Sequence, residues 1–294
     1  MLQFAPRMSY TLKAGDWTLT MGKKTLVMGI LNVTPDSFSD KGKYFGVEAS
    51  VVRAWEIAEE GADILDIGGE STRPGSSGVG AEEEINRVIP TLDALTKDRK
   101  YPLPISIDTT KSEVARAALE HGAVIINDIS AMSMDPRIGS VTAEYGAAMV
   151  LMHMRGTPQT MQTLPPSTDI LYEIDEWAKD AIARAYACGL SSDRIILDPG
   201  VGFGKTVNQN AEIIINIHRL ATAGFPVLIG ASRKAFIGAM TGKPVSDRIF
   251  GTCATVATSI LYGAHVVRVH DVAAARQTAD VTDEMCRRAA PGWN

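Results

Sequence analysis

Eight short apolar runs recur along this chain, and most are followed by a stretch with helical periodicity. The runs are Leu26–Val33, Ile64–Gly68, Ile105–Asp108, Val124–Ile129, Met149–Met152, Ile195–Asp198, Val227–Gly230 and Val266–Val269. They are rich in Ile, Val and Leu and nearly continuous rather than alternating, the pattern of parallel strands covered on both faces. Amphipathic segments such as Val47–Glu60, Glu82–Leu95, Ser112–His121, Ile170–Cys188, Glu212–Ala223 and Ile249–Tyr262 lie between them. Strand–helix alternation repeated this often predicts a single (β/α)8 barrel of the TIM type, with an open doubly wound sheet as the alternative. Before the first run, the turn Ala14-Gly15-Asp16 separates Ser9–Leu12 from Trp17–Thr20, which predicts an N-terminal β-hairpin placed to cap the barrel bottom. The expected organisation is therefore a hairpin extension over 1–25 and one barrel domain over 26–290.

Composition narrows the class of partner. With 29 Lys+Arg against 34 Asp+Glu, the net charge of −5 argues against nucleic acid as the main partner while leaving room for a small anion held by a few cations. Cys188, Cys253 and Cys286 are far apart, odd in number and without a CxxC pair, so neither a disulfide framework nor a zinc site is expected. The N-terminus lacks the basic-then-apolar order of a signal peptide, and no run approaches the ~20 apolar residues of a membrane span. A cytoplasmic protein is expected.

Chemistry in such barrels sits at the carboxyl ends of the strands. Those ends are polar here: Asn32; Asp66 running into Glu70-Ser71-Thr72-Arg73; Asp108-Thr109; Asn127-Asp128; Met152-His153-Met154; Asp198; Ser232-Arg233-Lys234; and Arg268-Val269-His270-Asp271. Singly, each has an ordinary explanation as a helix cap, a surface ion pair or, for His153, a core histidine tied to backbone. Together they are costly to bury without partners, and their convergence on one mouth favours a site. Asp108, Asn127 and Asp198 suit a flat heterocycle with a mixed donor and acceptor edge, while Asn32, Arg73, Arg268 and His270 suit an anionic leaving group. The stretch Asp198–Thr206 (DPGVGFGKT) imitates a phosphate loop but has Pro199 where the first glycine belongs, and Lys205 stands where a dinucleotide fingerprint needs its third glycine.

Met28–Asp40 (MGILNVTPDSFSD) and Gly61–Pro74 (GADILDIGGESTRP) resemble the two signature blocks of the dihydropteroate synthases. The likeness continues in order through SIDT (Ser106–Thr109), INDI (Ile126–Ile129), LMHM (Leu151–Met154), LDPGVGFGK (Leu197–Lys205), SRK (Ser232–Lys234) and RVHD (Arg268–Asp271), over roughly residues 26 to 285.

The resemblance implies a transferase of folate biosynthesis that joins 6-hydroxymethyl-7,8-dihydropterin diphosphate to p-aminobenzoate, giving 7,8-dihydropteroate and pyrophosphate by a dissociative substitution. It implies that Asp108, Asn127, Asp198 and Lys234 hold the pterin, with Met152 beside it and Arg268 against its face. Asn32, Arg268 and His270 would bind the diphosphate, Asn32 also serving Mg2+. Thr72, Pro74, Phe203, the Lys234 stem and Phe38 would form the aminobenzoate pocket, with Arg73 and Asp40 completing the loops. Sulfonamide inhibition and a homodimer are further implications.

The chain departs from the family where a serine commonly follows the SRK lysine. Ala235 stands there, and backbone N–H groups at that helix start are expected to take over the aminobenzoate carboxylate. Three other readings remain: a corrinoid-dependent methyltransferase on a related barrel, a Schiff-base aldolase using Lys234, and a silent homologue that only binds pterins or a partner enzyme.

Overall fold

The computed structural model describes residues 7–34, 42–71, 78–97, 100–161 and 163–289. The expected loop residues Phe38, Asp40, Thr72, Arg73 and Pro74, and the expected domain end at 290, lie outside them.

The hairpin is β1 (Tyr10–Ala14) against β2 (Trp17–Met21), antiparallel, with Ala14 facing Trp17 across a two-residue turn. Gly15 has φ +55°, as a tight hairpin turn requires, and its N–H donates to the Gly146 carbonyl at 3.0 Å. Eight parallel strands follow: β3 (Leu26–Asn32), β4 (Ile64–Gly68), β5 (Ile105–Asp108), β6 (Ile125–Asp128), β7 (Ala148–Met152), β8 (Ile195–Asp198), β9 (Leu228–Ile229) and β10 (Val266–Val269). They run in the order β8-β7-β6-β5-β4-β3-β10-β9, and a parallel bridge between Leu197 and Val227 joins the two ends into a barrel.

Around the barrel lie α1 (Gly42–Glu59), α2 (Ala81–Thr96), α3 (Ser112–Glu120), α4 (Arg137–Glu144) and α5 (Ile170–Ala187). The ring continues with α6 (Val207–Ile215), α7 (Ile217–Ala221), α8 (Ala235–Thr241), α9 (Ile249–Leu261) and α10 (Val272–Ala289). The sequence pattern joined α6 and α7 into one helix over Glu212–Ala223, and the structure corrects this. A capping box between Thr206 and Gln209 starts the helix at Val207. Asn216 then breaks it, its side-chain amide donating back to the Glu212 carbonyl at 2.8 Å.

Strand periodicity divides the core in two. Outward residues such as Val27, Leu65, Ile107, Ile126, Leu151 and Val267 join the helices in one large apolar shell. Inward residues Leu26, Met28, Ile64, Ile125, Ala148, Val150, Ile196, Leu228 and Val266 form a second cluster, completed from below by Leu12, Ala14 and Met21 of the hairpin. The hairpin therefore stoppers the barrel bottom.

The segment before the hairpin is clamped as well. Arg7 pairs with Asp283 at 2.5 Å. His265 accepts from the Val227 N–H through Nδ1 at 3.1 Å and donates from Nε2 to the Met8 carbonyl at 3.0 Å, and burial pushes its pKa down to about 4.

Candidate active site

Following the inward column upward, apolar side chains give way to polar ones, since Asp66 follows Ile64, Asn127 follows Ile125, Asp198 follows Ile196 and Arg268 follows Val266, while Asp108 follows the already polar Ser106. Asp66, Asp108, Asn127 and Asp198 are 0%, 6%, 3% and 5% exposed, so what holds them decides whether the mouth is stable. Arg268 lies across them, donating from Nε to Asp66 Oδ2 at 2.6 Å and from Nη2 to Asp108 Oδ2 at 2.7 Å. Asn127 Nδ2 donates to the same Asp66 oxygen at 3.1 Å. Asp198 Oδ1 accepts the Gly200 N–H at 2.7 Å.

Among the described residues, one oxygen each of Asp66 and Asp108, Oδ1 in both, is buried without a hydrogen-bond partner. Burial raises the Asp198 carboxyl to about 6, and it drives Asp108 well above the ordinary carboxylate range against the pull of Arg268. Two strand tops leave space. A Cβ on Gly68 would meet Asn32 Oδ1 at 3.6 Å and Asp108 Cβ at 3.7 Å, and one on Gly230 would lie 4.0 Å from Asp198 Oδ2.

Above this ring sits an apolar shelf of Ile129, Met152, Met161 and Phe203. Lys234 caps α8 and sets its Nζ 3.9 Å from the centre of the Phe203 ring. Desolvation lowers its pKa to about 8, with neighbouring Arg268 adding to the effect. The loop holding Lys234 is braced by Arg233, which has φ +58°, donates its N–H to Thr252 Oγ1 at 3.1 Å and ion-pairs with Asp271. On the rim, the His270 ring nitrogen Nδ1 lies 3.0 Å from Ser232 Oγ. Burial, with Arg268 and Arg233 nearby, pushes the His270 pKa down to about 4, so a neutral imidazole faces the mouth near pH 7.

The phosphate-loop imitation has a different purpose. Lys205 Nζ donates to the carbonyls of His153, Pro199 and Gly200 at 2.9, 2.8 and 2.8 Å, leaving no donor for an anion. It ties the loop that follows Asp198 and carries Phe203 to the end of β7. A Cβ on Gly200, at φ +66°, would lie 1.9 Å from the His153 carbonyl oxygen, so this approach demands glycine.

Of the residues picked from sequence, the structure gathers Asp108, Asn127, Met152, Asp198, Phe203, Lys234 and Arg268, with Asn32 half-buried at the end of β3 and His270 on the rim. Ala235 is the exposed first residue of α8, whose cap makes no side-chain hydrogen bond. Two polar strand ends serve the scaffold instead. Asp128 accepts from the Ser130 and Met132 N–H groups at 2.8 and 2.6 Å, and buried His153 packs on the Trp177 ring at 5.3 Å. The sequence places Asp66 in its strand but assigns it no role. Its signal was parity, because it stands two residues above inward Ile64.

A description of the pterin binding enzymes matches residues 28–270. A dihydropteroate synthase of Synechocystis is 44% identical over 277 residues, covering 94% of this chain and 95% of that one. The chain belongs to the dihydropteroate synthase family. It is thus a member of a family of transferases of folate biosynthesis. Among solved structures, the Xanthomonas albilineans dihydropteroate synthase with 4-aminobenzoic acid superposes with a TM-score of 0.87 at 41% identity, covering 97% of this chain and 100% of that one. The Yersinia pestis dihydropteroate synthase in complex with a sulfonamide drug gives a TM-score of 0.88 at 36% identity, covering 95% and 100%. No helix among the described residues is long and apolar enough to cross a membrane.

The residues present would fit Mg2+ in one way. Among the described residues, no group of three or more His, Cys, Asp or Glu side chains forms a cage for a resident ion. Asn32 does offer a hard amide oxygen beside the space above Gly68, which suits an ion that keeps most of its ligands from phosphate and water.

Proposed function

We propose that this chain condenses 6-hydroxymethyl-7,8-dihydropterin diphosphate with p-aminobenzoate, releasing pyrophosphate by a dissociative substitution. The observation that carries the reading is the acceptor ring of Asp108, Asn127 and Asp198, buried beneath two cations, Arg268 and Lys234. The carboxylates accept from the amino and ring N–H groups of the pterin, and Lys234 donates to its carbonyl oxygen. Met152 and Phe203 flank the flat ring.

As the bond to the diphosphate breaks, positive charge spreads from the methylene carbon into the ring. Asp108 and Asp198 stabilise it as fixed negative charges rather than as bases. Arg268 and a hydrogen bond from His270 take the growing negative charge of the leaving group. Mg2+ bound through Asn32 and the phosphates would supply further charge neutralisation. The neutral aniline nitrogen then attacks without a strong base.

Phe203 and the stem of Lys234 line the aminobenzoate subsite, where sulfonamides compete. The parts that the resemblance implies for Phe38, Asp40, Thr72, Arg73 and Pro74 fall on residues outside the described ones. Backbone N–H groups at Ala235 take the carboxylate.

Pyrophosphate release matched by dihydropteroate formation and dependent on aminobenzoate tests the reaction, and steady release that aminobenzoate does not raise refutes it. The lowered pKa of Lys234 also suits a Schiff-base lysine. Borohydride trapping with a carbonyl substrate separates the two readings, a labelled Lys234 favouring the aldolase. Turnover of methyltetrahydrofolate would favour the corrinoid methyltransferase.

We further propose a cytoplasmic homodimer. Its support is the three free cysteines and the exposed Met240, Val245 and Phe250, of which Phe250 is 84% exposed. Sedimentation of the Phe250→Glu variant as a monomer, against a dimeric parent, is the expected result.

A further inference from the structure

Asp66 has no part in the reaction just proposed, yet it is the most deeply buried carboxylate at the mouth, 0% exposed on β4. Its Oδ1 is buried without a partner, and so is the hydroxyl of Ser106, which faces it across the β4–β5 register. A charge in such a place is retained only if its contacts compensate it, and a packing role alone would be met by an apolar side chain of similar size. The contacts that Asp66 does make are both to site residues, and both are directional.

The first holds Arg268 by one end. Nε lies on Asp66 at 2.6 Å and Nη2 on Asp108 at 2.7 Å, so the guanidinium spans two carboxylates. A ligand whose N–H groups take Asp108 competes with Nη2 but leaves the Nε contact alone. The second contact orients an amide. Because Asn127 Nδ2 donates to Asp66 at 3.1 Å, the amide oxygen Oδ1 is turned away from Asp66.

We infer that Asp66 is a positioning residue. It tethers Arg268 through Nε, so that a pterin ring displacing Nη2 from Asp108 frees the charged edge for the diphosphate without releasing the side chain. It also sets Asn127 to present an acceptor to the ring. Pterin binding and diphosphate capture are thereby coupled through one buried carboxylate. The inference rests on the pterin diphosphate reading above.

The test compares binding of 6-hydroxymethylpterin with that of its diphosphate by titration calorimetry. In the parent the diphosphate adds affinity. Asp66→Asn keeps the shape but removes the charge, and it should cut the preference for the diphosphate form by about tenfold or more. It should also lower kcat/KM for pterin diphosphate while leaving KM for aminobenzoate unchanged. In the preference for the diphosphate form, Asp66→Asn combined with Arg268→Gln should be no worse than Arg268→Gln alone, because Asp66 acts on the diphosphate through Arg268.

An unchanged preference in Asp66→Asn, or losses that multiply in the double variant, would overturn the inference. Should Asp66→Asn fail to fold, Asp66→Ser decides: it leaves Arg268 in place without the Nε contact, so retention of the full preference overturns the tether, and its loss with 6-hydroxymethylpterin still bound supports it. A parent that binds both pterins yet releases no pyrophosphate defeats the reaction, and the binding ratios still decide the role of Asp66. A parent that binds neither defeats both.

Discussion

The two ends of the barrel interior are built from the same strands and behave oppositely. At the bottom, Met28, Ile64, Ile125, Val150 and Ile196 pack on one another and on Leu12, Ala14 and Met21 of the hairpin. At the top, one step further along the same inward columns, stand Asp66, Asn127, Met152 and Asp198. The lower half gains free energy from apolar burial and has no chemistry to perform. The upper half buries carboxylates whose charge Arg268 offsets only in part, leaving buried acceptor oxygens unpaired among the described residues. One fold thus separates stability from function within a single core.

The sharpest way to break this contrast is to damage the bottom. Leu12→Ala should lower the free energy of unfolding by about 2–5 kcal/mol in denaturant titration, with kcat and KM per folded molecule unchanged. A kinetic defect beyond the unfolded fraction would mean that the halves are not independent. Next comes the top. Arg268→Ala should lose about 2–3 kcal/mol of leaving-group stabilisation, about 30- to 150-fold in turnover corrected for folded protein. Near-normal turnover would remove Arg268 from the site.

Acidification separates the halves by pH. Asp198 titrates at about 6 in the free protein and must be ionised to accept from the ring. Pterin affinity should therefore weaken as the pH falls through that value, with Asp108, raised further by its burial, adding to the loss and Asp198→Asn showing a flatter profile. The sign follows from linkage, since a ligand that prefers the charged form lowers the carboxyl pKa on binding and loses affinity as protons compete. Calorimetry across that range would check it. The smallest effect concerns Ala235→Ser, which should change KM for aminobenzoate by less than about threefold if backbone N–H groups suffice there.

The strands were readable because their apolar runs are short, β-branched and bounded by polar ends. Ile64–Gly68, Ile105–Asp108, Ile195–Asp198 and Val266–Val269 were placed as the structure has them. The break at Asn216 was not readable, because the periodicity of Glu212–Ala223 carries through it and only the local side-chain bond to Glu212 opposes the helix. In the site, Asp108, Asn127, Asp198 and Arg268 were legible from their position at strand ends. For Asp66, strand parity gives only the inward direction, and the partner that gives it meaning comes from distant residue 268. The DPGVGFGKT segment shows the converse: its glycines and lysine look like a phosphate loop, but its ammonium group is used up by three carbonyls of the scaffold.

The stopper at the bottom has a consequence for traffic. A cylinder sealed at one end is a well rather than a tunnel, so molecules come and go by the same opening. Under the proposed reaction, whichever reactant lies deepest must arrive before the one above it, and the joined product has to back out past the rim it came in by. Occupancy by an early visitor then sets the queue for the next, and a compound lodged near the lip traps whatever lies beneath.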